Sequence, residues 1–145
     1  MRALVQRVSS ASVEIERKTV GEIGVGLLVL VGIAREDEQP NVEKLAEKLL
    51  NYRIFPDESA RMNLSLKDSG GELLIVSQFT LCADTSKGLR PGFSSAASPE
   101  LAEDLYQDFV AYCRNQISCV QTGSFGADMQ VSLVNDGPVT FMLES

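Results

Sequence analysis

Two runs of this sequence, GLLVLVGIA at 26–34 and ELLIV at 72–76, are apolar almost without interruption. A strand carrying apolar side chains on both faces has to be covered on both faces. Helical spacing occurs in only two places. In REDEQPNVEKLAEKLLNYRIF (35–55), Val42, Leu45, Ala46, Leu49 and Leu50 fall on one helical face, with Pro40 in the first turn. In SPELAEDLYQDFVAYCRNQ (98–116), Ser98 caps and Pro99 begins a helix whose inner stripe is Leu101, Leu105, Phe109, Val110 and Cys113. Glu100, Glu103 and Asp104 place negative charge near the positive end of that helix. Two helices cover one side of a sheet, so the other side requires a second layer of strands or a partner subunit.

The rest of the chain reads as strands and turns, giving a coarse order β-β-β-α-β-α-β-β-β in a single mixed α/β domain of 145 residues. MRALVQRVSSASVEIER alternates as a hairpin with its bend near SSA. Val5 and Val8 break the parity, which suggests a bulge or an early turn. KTVGEIG reads as a second turn region, MNLSL as a short edge strand and KDSGG as a turn. ELLIVSQFTL reads as one strong strand. The tail SCVQTGSFGADMQVSLVNDGPVTFMLES reads as two or three strands, with turns at 123–126 and 136–138.

Histidine is absent, which removes a Ser-His-Asp triad and histidine-based zinc sites from this chain. Cys82, Cys113 and Cys119 are scattered and form no metal signature, as expected of a reducing compartment. The longest apolar run is too short to cross a bilayer, so the expectation is a cytoplasmic protein without a membrane partner. A net charge of −7 argues against a basic nucleic-acid wrapper but leaves room for a local basic patch.

Four stretches carry candidate chemistry. SQFTL (77–81) sets polar side chains at the end of a core strand. A regular strand would point Ser77 and Phe79 one way and Gln78 and Thr80 the other. Either hydroxyl offers a donor or a nucleophile, but hydroxyl attack without a neighbouring base is weak chemistry; the plain alternative is local hydrogen bonding within the sheet. NDGPVT (135–140) reads as a turn between two strands, either a plain structural hairpin turn or one whose Gly137–Pro138 pair faces its backbone carbonyls outward for a close contact. CADTSKGLRPGFSSAAS (82–98) is a long loop of little periodic order. Lys87, Arg90 and Phe93 within it suit a phosphate or an RNA terminus, or simply a solvated loop. Phe125 and Met129 in GSFGADMQV either flank a base or pack the core; the spacing is not that of a nucleotide fingerprint or P-loop. Arg7 offers five fixed donors to backbone carbonyls or to solvent.

Taken together, MRALVQRVSSASVEI, SQFTL, SKGLRPGF and NDGPVTFMLES resemble, in order and over essentially the whole chain, the bacterial D-aminoacyl-tRNA deacylases. The resemblance implies a fold of β/β/α layers with a barrel-like sheet core and two helices, and a homodimer with active sites at the subunit interface. It implies removal of D-amino acids from tRNA and of glycine from mischarged tRNA for alanine, with no cofactor and no DNA partner. Ser77, Gln78, Phe79 and Thr80 would line the aminoacyl-adenosine pocket. Gly137 and Pro138 would form a cross-subunit cis pair held by Arg7. Phe125 and Met129 would neighbour the terminal adenosine, and Lys87, Arg90 and Arg35 the phosphates. Water helped by the tRNA 2′-hydroxyl would be the nucleophile. The competing readings are a covalent esterase using Thr80 or Ser77, and a non-catalytic dimeric module that binds RNA ends.

Overall fold

The structure, a computed structural model, describes all 145 residues. In chain order the elements are β1 (Arg2–Ile15), β2 (Lys18–Ile23), β3 (Gly26–Gly32), α1 (Gln39–Asn51), β4 (Phe55–Pro56), β5 (Met62–Leu64), the single-turn α2 (Leu66–Ser69), β6 (Glu72–Ser77), a 3-10 turn (Phe79–Cys82), α3 (Pro99–Arg114), β7 (Val120–Thr122) and β8 (Gln130–Glu144).

The main sheet runs β2-β1-β3-β6-β7, and β8 lies along the other side of β1. The strands β3, β6 and β7 are parallel, whereas β1 is antiparallel to β2, β3 and β8. The two-sided apolar strands are the central pair. Leu27, Val29 and Val31 of β3 and Leu73 and Ile75 of β6 face one core with α1 and α3. Leu28, Leu74 and Val76 face a second core with Val8, Ala11, Val13 and Ile23. The second cover is the sheet itself, curled until β2 meets β7 across an almost closed barrel. Gly21 sits at that closure, where a Cβ would stand 2.8 Å from the Thr122 carbonyl oxygen.

The same curl explains the parity break in β1. Val5 belongs to the helix-side core and Val8 to the barrel interior, so opposite parity is what their positions require. The expected bend at SSA is therefore corrected: β1 continues through Ser9 and Ser10, and passes from β3 as neighbour to β2. The reversal comes at Glu16 and Arg17, both at positive φ (49° and 65°), the two-residue turn whose twist suits a hairpin. KTVGEIG is strand β2 rather than a turn.

Both expected helices form, with Ser98 accepting from the Leu101 N–H and proline in the first turn of each. α3 buries Tyr106 beside the expected stripe, and its hydroxyl donates to the Ile75 carbonyl at 2.9 Å. The third helix, α2, replaces the turn expected at KDSGG. Ser65 and Asp68 cap it reciprocally, and Gly70 ends it at φ 66°. No helix is long and apolar enough to cross a membrane.

Gly26 begins β3 against β6, where a Cβ would stand 1.9 Å from the Glu72 carbonyl oxygen. Gly26→Ala is expected to cost about 3 kcal/mol through forced separation of the two strands. A urea titration should show a lowered midpoint with little change in slope.

Candidate active site

The pairing of β6 with β7 ends at Ile75 and Thr122. The Gly123 N–H still donates to the Ile75 carbonyl at 3.2 Å, and beyond that bond the two chains part. A cavity of about 510 Å³ opens there, beyond the carboxyl ends of the parallel strands, where ligands collect in open α/β sheets. One wall is Val76, Ser77, Gln78 and Phe79; the facing wall is Phe125 to Met129; Ala97, Pro99 and Ala102 close a third side.

The strand expected over ELLIVSQFTL stops at Ser77. The Gln78 N–H makes a last bond to the Val31 carbonyl at 2.7 Å, and Phe79–Cys82 then wind into the 3-10 turn. The expected alternation of Ser77/Phe79 against Gln78/Thr80 is thereby corrected. Gly32 permits the turn, since a Cβ there would lie 2.9 Å from the Leu81 Cβ and 3.2 Å from the Gln78 carbonyl oxygen. The leading N–H groups of the turn, those of Phe79 and Thr80, have no acceptor within it.

Gln78 donates through Nε2 to the Thr80 hydroxyl at 2.5 Å. Thr80 is exposed and does not line the cavity, whereas Ser77, Gln78 and Phe79 do. Phe79 is 60% exposed and tilts against Phe93 at 5.0 Å between ring centroids. Phe125 leans on Tyr106 at 5.8 Å. Met129 folds inward over Gly123, where a Cβ would be 2.5 Å from the Met129 sulfur. Asp128 is the one ionisable side chain among the lining residues.

Burial pushes the Cys82 thiol up and raises the Cys113 thiol and the Tyr106 phenol to about 12 each, so none of the three supplies an anion near neutral pH. No group of three or more His, Cys, Asp or Glu side chains stands in a metal-holding arrangement.

Gly137 and Pro138 lie elsewhere. The turn expected between two strands is corrected to a bulge inside the single strand β8. Gln6 pairs with Thr140 and Val8 with Asn135, so Asp136–Val139 all stand opposite Arg7. The Gly137–Pro138 peptide is cis, and both residues are exposed. The Arg7 guanidinium fills the base of the bulge, donating to the Asp136 carbonyl at 3.0 Å and to the Ile54 carbonyl at 2.7 Å. Asn135 spans it, accepting from the Val139 N–H at 2.6 Å and donating to the Val139 carbonyl at 3.2 Å.

Neither Gly137, Pro138 nor Arg7 lines the cavity of its own chain. Lys87 and Arg90 are exposed on the loop beyond the 3-10 turn. Arg35 pairs with Glu36 at 3.0 Å, and its backbone N–H bonds to the Ser95 carbonyl of that same loop. The structure thus brings Ser77, Gln78, Phe79, Phe125 and Met129 together and leaves Thr80 at the rim. Sequence reasoning missed Asn135, Tyr106, Gly123 and Asp128. Only Asn135 carried a signal, as an amide side chain beside a turn.

A small single-domain enzyme, with an apolar pocket at strand ends and a hydroxyl-amide turn on its rim, is the class that this fold and site define. The family model for D-Tyr-tRNA(Tyr) deacylase matches residues 4–144. A D-aminoacyl-tRNA deacylase of Shewanella loihica is 62% identical over 99% of both chains, and one of Teredinibacter turnerae is 58% identical over the full length of both. A solved structure of a c-Myc DNA unwinding element binding protein is 44% identical, superimposes with a TM-score of 0.96, and is matched over 100% of this chain and 99% of its own. A solved structure of a probable eukaryotic D-amino acid tRNA deacylase shares the fold at a TM-score of 0.86 and 19% identity, over 99% and 98% of the two chains. The chain belongs to the D-Tyr-tRNA(Tyr) deacylase family, and it is a hydrolase.

Asn135→Ala is expected to orphan the Val139 N–H at a cost of about 1–2 kcal/mol, read as faster hydrogen exchange at Val139 than in the barrel strands. Cys113 and Tyr106 keep their protons to higher pH folded than unfolded, from ordinary values of 9.0 and 10.0 up to about 12. Their share of stability is whole below the ordinary values and is lost as pH rises towards 12. Denaturation midpoints should accordingly fall from about pH 9 upward, and Cys113→Ala should remove part of that slope.

Proposed function

We propose that this chain hydrolyses the ester bond of D-aminoacyl-tRNA, and of glycine attached to tRNA for alanine, with each active site completed by a second copy. The observation that carries the reading is a division within the chain. Ser77, Gln78, Phe79, Phe125 and Met129 converge on a pocket, while the exposed Gly137–Pro138 bulge sits outside it on a rigid base of Arg7 and Asn135. A second copy provides the route by which the bulge reaches a pocket. The outer edge of β8 supports this, because it pairs with no other strand and the strand exposes Leu133, Val134 and Met142.

The chemistry fits a site without histidine. An aminoacyl ester is already activated, so positioning and charge stabilisation suffice. The N–H groups of Phe79 and Thr80 are assigned to the developing oxyanion, a role in which one donor contributes about 3–4 kcal/mol. Water assisted by the 2′-hydroxyl of the substrate is the nucleophile. The Thr80 hydroxyl accepts from Gln78 and has no base beside it, which argues against covalent attack.

Selectivity works by exclusion. The Gly137 and Pro138 backbone of the partner copy would occupy the space an L side chain needs, leaving D side chains directed outward. Glycine enters because a pocket does not reject a smaller group. Lys87 and Arg90 are assigned to phosphates of the acceptor end, a limited contact in keeping with a net charge of −7.

One tRNA charged with each enantiomer of one amino acid tests the reading. The D ester should be turned over and the L ester spared; failure to hydrolyse either D-aminoacyl- or glycyl-tRNA would sink it. Thr80→Ala is expected to keep activity within about tenfold and to trap no acyl-enzyme, because it removes neither a base nor a backbone donor. Val134→Asp on the β8 edge should convert dimer to monomer in sedimentation and abolish turnover together.

A further inference from the structure

The loop after the 3-10 turn is more ordered than its composition suggests. Asp84 and Gly92 form a two-way backbone bridge, with N···O distances of 2.7 and 3.0 Å. Within it the Asp84 carboxylate accepts from the Ser86 N–H at 2.9 Å, and Gly88 reverses the chain at φ 72°. At the root Phe93 packs on Phe79, itself a lining residue of the pocket, and the Ser95 hydroxyl donates to the Cys82 carbonyl at 2.6 Å. Residues 84–92 are thus a finger whose position is set by the pocket rim.

The tip of this finger is fully exposed Leu89, at 104% of its reference accessibility, between Lys87 and Arg90. Neither cation forms an ion pair or a side-chain hydrogen bond, in a chain with 20 acidic residues. From Thr85 to Pro99 there is no acidic residue at all. An apolar tip flanked by two free cations, in a locally acid-free segment, complements a strand that alternates phosphates with exposed bases. Apolar side chains wedge against bases where a nucleic acid is unpaired or distorted, and unpaired bases of single-stranded RNA are open to such contact.

We propose that Leu89 packs against an unpaired base in the single-stranded 3′ end of the RNA substrate, upstream of the esterified nucleotide, while Lys87 and Arg90 hold the adjoining phosphates. The assignment rests on the function given above and adds a determinant outside the pocket. It makes the enzyme sensitive to nucleotides that take no part in the reaction.

Two substrates separate the finger from the pocket: a D-aminoacyl-tRNA, and the same amino acid esterified to adenosine alone. Leu89→Ser is expected to lower kcat/KM on the tRNA about tenfold and to leave the adenosine ester unaffected. Lys87→Ala and Arg90→Ala should each flatten the dependence of log affinity on log salt by about 0.7 for the single-stranded contact. Equal loss on both substrates would place Leu89 in the pocket, and loss on neither would remove it from recognition; either result overturns the proposal. So does dissociation of the dimer by Leu89→Ser, which would make the tip a contact between copies. Binding of an uncharged RNA hairpin with a single-stranded 3′ end gives the same comparison without hydrolysis. If the unaltered protein hydrolyses nothing, the functional reading fails, yet weaker hairpin binding by Leu89→Ser still supports the finger and unchanged binding still refutes it.

Discussion

Burial of β3 and β6 on both faces is the requirement from which the rest of the structure follows. Leu27, Val29, Leu73 and Ile75 are covered by α1 and α3. Leu28, Leu74 and Val76 have no helices to meet them, so the sheet folds over and covers them with β1 and β2. Glycines at the tight points make the curl possible, Gly21 against β7 and Gly26 against β6. Two consequences shape function. The barrel parts where β7 leaves β6, which opens the pocket. The strand β8 is left outside as an edge fifteen residues long, with a row of unpaired backbone groups and apolar side chains.

The pocket owes its character to backbone geometry more than to reactive side chains. Gly32 lets the chain after Ser77 wind tightly over β3, and that winding leaves the N–H groups of Phe79 and Thr80 without an acceptor inside the turn. Cys82, Cys113 and Tyr106 are held protonated by burial and act as packing groups. The Tyr106 hydroxyl and the Gly123 N–H converge on one acceptor, the Ile75 carbonyl, and this fixes the point at which the walls separate. The bulge at Gly137–Pro138 follows the same logic. Arg7 and Asn135 satisfy its polar groups from below and leave its outer surface bare.

Charge is distributed to match. The chain is acidic overall, yet the finger beside the pocket carries two free cations and a single acid, Asp84 at its base, whose carboxylate accepts from the Ser86 N–H. An acidic body with a confined basic contact disfavours extended nucleic-acid binding and retains attraction at one end of a strand. In the assignment made above, the end of an RNA strand is recognised and the double-stranded remainder is held little.

Local patterns in the sequence were enough for the two-sided strands and for α1 and α3 with their proline and serine starts. Those features arise from side chains a few positions apart, so periodicity and capping report them directly. The same patterns left Phe125 and Met129 open between a base and the core and did not single out Asp128. Other features depend on partners distant in the chain. Ser9 and Ser10 look like a bend but continue β1, because β2, β3 and β8 supply pairing on its two sides. SQFTL looks like strand but winds into a turn, because Gly32, 45 positions before Ser77 in the chain, lets it approach. NDGPVT looks like a reversal but is a bulge, because Arg7 and Asn135 hold both of its ends in line with β1. Tertiary structure alone decided these, since in each the hydrogen bonds or close contacts that settle the backbone come from residues no local pattern can place.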